Sequence, residues 1–259
     1  MMSSYHFGLV GRNIGYSLSP MLHQANIDAL GLNATYELVD VDHLDELIST
    51  WNEFQGLNVT IPYKEDIISY CDEVDEAVKK IGACNTIVFK KGKKIAYNTD
   101  WIGFIKQLES LDINFSGFLN TLIIGAGGAA KAVYYALKTK TNFTVTIANR
   151  TIEKAREMTT HTMTLEEASR ELSNFDLIIN ATNVGVKSYD SPIKIEHVKP
   201  KSIFIDLNYQ KKLKFVDDSH RLGAISVNGL TMLVEQAAES FRLWTNQVAD
   251  IKRMYDIIE

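Results

Sequence analysis

Short apolar runs rich in β-branched and aromatic residues alternate along this chain with stretches in which apolar positions recur every three or four residues. The first pattern predicts strands and the second predicts helices. YHFGLVG reads as a strand, and SPMLHQANIDALG as a helix with Ser19 as N-cap, Pro20 in its first turn and Gly31 just past its end. TYELVDV is a strand, HLDELISTWNEF a helix and GLNVTI a strand. Residues 64–81 read as helical, in two pieces. ACNTIVFKKGKKIAYNTD reads as a hairpin, with a helix over 101–111 after it. The stretch GLNVTIPYKED is unusual. Polar Asn58 and Thr60 alternate with Leu57, Val59 and Ile61, Pro62 stops the strand, and Lys64 follows at the start of a predicted helix.

Near residue 120 the pattern restarts. NTLIIGAGGAAKAVYYALK is strand, glycine turn and helix. FTVTIANRT, FDLIINAT, SIFIDLNY and AISVNG are strands, LEEASREL and KKLKFVDDSHRLG are helices, and TMLVEQAAESFRLW and QVADIKRMYDII close the chain as helices. Alternating strands and helices imply an α/β protein with mostly parallel sheets covered by helices. The restart implies two domains, with the final helices packing back on the first. A length of 259 residues with 46% hydrophobic composition suits two domains of ordinary size.

The strongest local signal is LIIGAGGAAKA. Gly125, Ala126, Gly127, Gly128 and Ala129 form a tight turn between a buried strand and a helix. Such a turn lets backbone amides approach a pyrophosphate at the helix N-terminus. Ala130 stands at the third glycine position, where a small residue permits close helix–sheet packing. An NAD site usually places an acid at the end of the second strand; here Asn149, Arg150 and Thr151 occupy it, with no acid until Glu153. A guanidinium beside neutral polar groups suits a 2′-phosphate and favours NADP over NAD. The competing account is a packing turn beside a surface arginine.

In the first half, Ser17, Ser19, Asn58, Thr60, Lys64, Asn85, Thr86 and Asp100 sit at strand ends or beside turns, where ligands bind in open α/β sheets. A hydroxyl-rich substrate needs such neutral donors and acceptors, and a lysine facing an aspartate can move a proton. Each residue also has a plain structural account: Ser19 and Asp100 as helix caps, Lys64 as a solvated first-turn lysine.

A net charge of −5 and a pI near 5.7 exclude a broad phosphate-neutralising surface, so no nucleic-acid partner is expected. The cluster KKGKK has a central glycine between apolar runs and reads as a solvated hairpin turn. No apolar run approaches a membrane span, no signal-peptide pattern is visible at the N-terminus, and Cys71 and Cys84 lack metal-ligand spacing. A cytoplasmic protein without a metal, monomeric or homodimeric, is the expectation.

The blocks SLSP, NVTIPYK, GACNT, YNTD, GAGGAAKA, NRT, INAT, DLNY and NGLTMLVEQA, in this order over nearly the whole chain, resemble the shikimate dehydrogenase family. The resemblance implies a substrate-binding catalytic domain of residues 1–100 plus 236–259 and a Rossmann-type NADP-binding domain of residues 101–235. It implies reversible NADPH-dependent reduction of 3-dehydroshikimate to shikimate, on the route to chorismate and the aromatic amino acids. Lys64 and Asp100 would be the catalytic pair. Ser17 and Ser19 would hold the substrate carboxylate, and Asn58, Thr60, Asn85, Thr86, Tyr209 and Gln236 the rest of the substrate, in a cleft between domains that open and close. Gly125 to Ala129 would wrap the pyrophosphate and Asn149, Arg150, Thr151 and Lys154 the adenosine phosphate. Thr182, Leu207 and Gly229 would line the nicotinamide side. Tyr16, Trp101, Asn183, Val186 and Asn208 depart from residues common in the family. The alternatives are a quinate/shikimate enzyme that tolerates NAD and a non-catalytic ligand-binding paralogue.

Overall fold

A computed structural model describes residues 5–258. The chain divides into two compact units, one formed by residues up to Gly103 together with those from Val234 onward, the other by Phe104–Leu233. The boundaries fall inside helices α4 (Asp100–Glu109) and α9 (Leu230–Thr245).

The first unit holds strands β1 (Tyr5–Gly11), β2 (Ala34–Asp40), β3 (Gly56–Val59), β4 (Glu73–Val74), β5 (Thr86–Lys90) and β6 (Lys93–Tyr97), in the order β2-β1-β3-β5-β6-β4. Three of its five pairings are parallel; β3, β5 and β6 run antiparallel to their neighbours in turn. Helices α1 (Ser19–Ala29), α2 (Leu44–Ile48), α3 (Glu76–Ile81) and α10 (Ile251–Asp256) complete it with most of α9. One apolar core gathers Val10, Leu57, Val59, Ile87 and Ala96 with Trp51 and Phe54. The lysine-rich hairpin turn places Lys91 and Gly92 at φ +52° and +73°, the left-handed pair of a tight two-residue loop.

Several boundaries differ from the sequence reading. Ser19 is the first residue of α1 rather than its cap, and its backbone N–H bonds to the Ser17 hydroxyl. The helix expected over 43–54 breaks after five residues into a 3-10 turn, Trp51–Glu53. β3 ends at Val59, so Thr60 lies beyond it, and Lys64 stands in a turn, not on a helix. The 64–81 segment contains a 3-10 helix (Asp66–Tyr70), then β4, and only then α3, which Asp75 caps through the Ala77 N–H.

The second unit holds β7 (Asn120–Ile124), β8 (Thr144–Ala148), β9 (Thr162–Met163), β10 (Leu177–Asn180), β11 (Ile203–Asp206) and β12 (Ile225–Asn228), with α5 (Gly128–Lys140), α6 (Ile152–Arg156), α7 (Leu165–Arg170) and α8 (Lys214–Arg221). All its pairings are parallel, in the order β9-β8-β7-β10-β11-β12, the doubly wound dinucleotide-binding arrangement. The central strands are buried on both faces, which is why they read as unbroken apolar runs. The sequence reading missed the short α6 and β9. No helix among the described residues is long and apolar enough to cross a membrane.

The chain's last helices belong to the first unit. The Trp244 indole N–H donates to the Ile87 carbonyl at 3.0 Å, its ring stacks on Phe7, and Asp250 N–H bonds to the Asn26 side chain at 2.7 Å. A Cβ added to Gly56 would stand 2.3 Å from the Trp244 ring. Gly56→Ala should therefore cost about 1–3 kcal/mol through overpacking. Urea denaturation measures this, and unchanged stability would mean that the indole moves aside freely.

His23 is wholly buried and stacked on Tyr36 at 4.3 Å. Neither ring nitrogen reaches a hydrogen-bond partner at acceptable geometry, although nearby Asn58 opposes the shift weakly. Burial pushes the imidazole from 6.5 down to about 3. The unfolded chain binds this proton across that window and the folded chain does not, so stability present above pH 6.5 falls as pH drops toward 3. His23 alone should remove about 3 kcal/mol between pH 7 and 4. Urea titrations across this range should show His23→Phe with a shallower acid decline, and an identical decline would assign the loss elsewhere.

Candidate active site

In the first unit the chemistry centres on the side chain of Asn85, which follows α3 and directly precedes β5. Its Oδ1 accepts the Thr99 backbone N–H at 2.7 Å. A backbone N–H only donates, so this contact fixes which end of the amide is oxygen. Nδ2 is thereby aimed at Asp100 Oδ1, at 2.8 Å, and also reaches Gln236 Oε1 at 3.3 Å. Asp100 is held from its own end as well. It opens α4, and the Asn98 side chain caps it by accepting its N–H at 3.0 Å. The second carboxylate oxygen of Asp100 accepts from Lys64 Nζ at 2.7 Å. The pair is largely withdrawn from water, with 16% of the Lys64 side chain and 8% of Asp100 exposed. Trp101, next along α4, leaves these bonds intact.

A buried line of polar groups continues from Asn85. Thr86 Oγ1 donates to Asn85 Oδ1 at 3.1 Å and meets Ser240 Oγ at 2.8 Å. Asn58 Nδ2 donates to Ser240 at 3.0 Å and to Thr86 at 3.2 Å, while Asn58 Oδ1 accepts from the Tyr36 hydroxyl at 2.9 Å. Burial raises the Tyr36 phenol well above its ordinary value, and the nearby Ser19 hydroxyl opposes that shift. Ser17 and Ser19 hydroxyls are 3.2 Å apart. The fold thus brings together Ser17, Ser19, Asn58, Lys64, Asn85, Thr86, Asp100 and Gln236. Thr60 lies outside this network among the described residues, and Tyr209 belongs to the second unit, just past β11. Sequence reasoning missed Tyr36, Thr99 and Ser240. Ser240 sits one turn after Gln236 on α9, a spacing that offers the only sequence signal for it.

In the second unit Gly125 adopts φ +114°, and a Cβ there would stand 3.0 Å from the Ala181 carbonyl oxygen. Around Gly127 the space is open. α5 begins at Gly128, and Ala130 is fully buried against the sheet. The turn therefore offers bare backbone at a thirteen-residue helix N-terminus, a cradle for a pyrophosphate. After β8, Asn149 Nδ2 donates to the Thr151 carbonyl at 2.8 Å and fixes the turn. Arg150 and Lys154 are exposed, and neither makes an ion pair among the described residues. With no carboxylate at ion-pair distance from either among the described residues, the donor set fits a 2′-phosphorylated dinucleotide. Thr182, Leu207 and Gly229 follow the carboxyl ends of β10, β11 and β12. No group of three or more His, Cys, Asp or Glu among the described residues is arranged to hold a metal.

Residues 9–87 match the shikimate dehydrogenase substrate binding domain, residues 112–210 match shikimate / quinate 5-dehydrogenase, and residues 229–259 match the shikimate 5'-dehydrogenase C-terminal domain. Asn58, Lys64 and Asn85 fall in the first segment, the glycine turn in the second and Gln236 in the third, with Asp100 between segments. The shikimate dehydrogenase (NADP(+)) of Staphylococcus aureus (strain Newman) is 40% identical over 256 residues, covering 96% of this chain and 95% of the relative. Shikimate 5-dehydrogenase from Thermus thermophilus, solved in complex with NADP(H) and shikimate, matches at a TM-score of 0.88 and 30% identity over 98% of both chains. Shikimate dehydrogenase from Aquifex aeolicus matches at 0.89 and 32% identity over the whole of both. From the matched segments and this whole-length likeness, the chain belongs to the shikimate dehydrogenase family.

Proposed function

We propose that this protein is an NADP-dependent shikimate dehydrogenase, interconverting 3-dehydroshikimate and shikimate. The observation that carries the reading is the Lys64–Asp100 pair, 2.7 Å apart and oriented by Asn85. The nucleotide, when bound, supplies or accepts the hydride. The chain's own task is to place the substrate and to move one proton at the reacting oxygen.

Lys64 as an ammonium stabilises the oxygen on which negative charge develops during reduction, and the Lys64–Asp100 pair delivers the proton that completes the hydroxyl. In oxidation the same pair removes that proton as hydride leaves the carbon. Asp100 holds Lys64 in place through one oxygen, while Asn85 holds Asp100 through the other. Ser17 and Ser19 bind the substrate carboxylate; Asn58, Asn85, Thr86 and Gln236, with Thr60, recognise its hydroxyls. Gly125, Ala126, Gly127, Gly128 and Ala129 cradle the pyrophosphate. Arg150 and Lys154 with Asn149 and Thr151 take the 2′-phosphate, and Thr182, Leu207 and Gly229 face the nicotinamide.

The direct test follows NADPH formation from shikimate and NADP with purified protein, beside quinate and NAD. Turnover should be fastest with shikimate and NADP, and Lys64→Ala should lower kcat by about 10²- to 10⁴-fold. Faster turnover with quinate would reassign the substrate, and no turnover with any pair despite nucleotide binding would sink the enzyme reading.

Arg150→Ala should raise KM for NADP by about 10- to 100-fold, the worth of a charge-assisted hydrogen bond of about 1.5–3 kcal/mol, and leave KM for NAD nearly unchanged. An equal change for both nucleotides would place the 2′-phosphate elsewhere.

A further inference from the structure

The chemistry above gives Asn208 no part. Its surroundings assign it one. Asn180 and Asp206 are the last residues of β10 and β11 and face each other in register. Both are buried, Asp206 to 1% exposure. Asp206 has no cation partner among the described residues. Three amide donors surround it instead: Asn180 Nδ2 at 3.0 Å on Oδ2, and Asn208 N and Nδ2 at 3.0 and 2.8 Å on Oδ1. Burial pushes its carboxyl up to about 6, against the pull of those donors.

The remaining bonds of this group run to loop backbone. Asn180 Oδ1 accepts from the Thr182 N–H at 3.0 Å and from its hydroxyl at 2.7 Å. Asn208 Nδ2 reaches the carbonyls of Thr182 and Val184, each at 3.1 Å, so its two hydrogens are shared among three acceptors. Leu207 N–H donates to the Asn180 carbonyl and Gly229 N–H to the Asn208 carbonyl, both at 2.9 Å. Gly229 lies so close that an added Cβ would stand 2.2 Å from the Leu207 carbonyl oxygen. Thr182, Leu207 and Gly229, on three separate post-strand loops, are thereby tied to one side-chain cluster.

A buried carboxylate without a cation is a costly way to join loops, and apolar residues would serve the fold alone better. The cluster also sits at the carboxyl ends of parallel strands, where doubly wound sheets bind their ligands. We propose that Asn180, Asp206 and Asn208 form a positioning clamp that sets the three loops against the nicotinamide end of the bound dinucleotide. The clamp rests on the functional reading above, which places Thr182, Leu207 and Gly229 there. Asn208 is its strut: it is the member that joins the Thr182–Val184 loop both to Asp206 and, through its carbonyl, to Gly229.

The test compares native protein with Asn208→Leu, which keeps the volume and removes the amide, and with Asp206→Asn as a second variant. Affinities are measured for NADP and for 2′-phospho-ADP-ribose, which lacks the nicotinamide, well below each protein's unfolding temperature. Asn208→Leu should weaken NADP binding about ten-fold relative to the fragment, and lower kcat with shikimate by about ten-fold while KM for shikimate stays within about two-fold. A lowered unfolding temperature with unchanged ligand ratio and unchanged kcat would overturn the clamp and leave a purely structural role. If Asn208→Leu fails to fold, the same ratio measured on Asp206→Asn decides. A native protein that oxidises no shikimate would defeat the proposed function instead. The ligand ratio would still judge the clamp, which fails if variant and native ratios are equal.

Discussion

The polar chemistry of the first unit depends on how one side-chain amide is turned. Thr99 offers Asn85 a backbone N–H, a group that cannot accept, and this settles the direction of the Asn85 bond to Asp100. With its oxygen committed, Asn85 must present its NH₂ to Asp100, and Asp100 has one oxygen left for Lys64. Reversing the amide would set donor against donor at Thr99 and acceptor against carboxylate at Asp100. The geometry of the ion pair is therefore inherited from the backbone just before α4, a rigid source, rather than from two long side chains finding each other.

The alternation of strands and helices was legible because each central strand of the second unit is buried on both faces and shows as an unbroken apolar run. The glycine turn was legible because Gly125 needs a positive φ and has a carbonyl oxygen 3.0 Å from where a Cβ would stand. The first unit was harder to read. Its 43–54 segment has helical spacing, yet the chain leaves the helix after Ile48 to bury Trp51 and Phe54 in the core, a tertiary demand that overrides local pattern. Lys64 lies 2.7 Å from Asp100, the residue it was expected to face, but it stands in a turn where the local pattern suggests a helix start. Ser240, Thr99 and Asp206 went unread. A serine on an amphipathic helix, a threonine before one and an acid at a strand end carry no local mark of burial. The partners Asn85 of Thr99, Asn58 and Thr86 of Ser240, and Asn180 of Asp206 are distant in sequence, and only folding reveals them.

The two units solve different electrostatic problems. The first keeps one ion pair in a dry setting and surrounds it with neutral hydroxyls and amides, so charge is concentrated at a single point. The second leaves Arg150 and Lys154 in water, near bare backbone, where a phosphate can exchange solvent for them. Buried charge without a countercharge occurs there at Asp206, where three amide donors take the place that a lysine fills beside Asp100.

The packing of Trp244 over Gly56 also makes completion of the first unit wait for a late segment of the chain. Residues 104–233 form a contiguous unit whose sheet is complete as soon as they leave the ribosome. The first unit begins earlier and finishes last, because its sheet face at Gly56 and Phe7 stays bare until α9 arrives, and α1 lacks its partner until α10 does. The segment made first is thus the one that waits. During that interval its uncovered aromatic face is transiently exposed apolar surface, the kind that makes partly folded chains prone to aggregate.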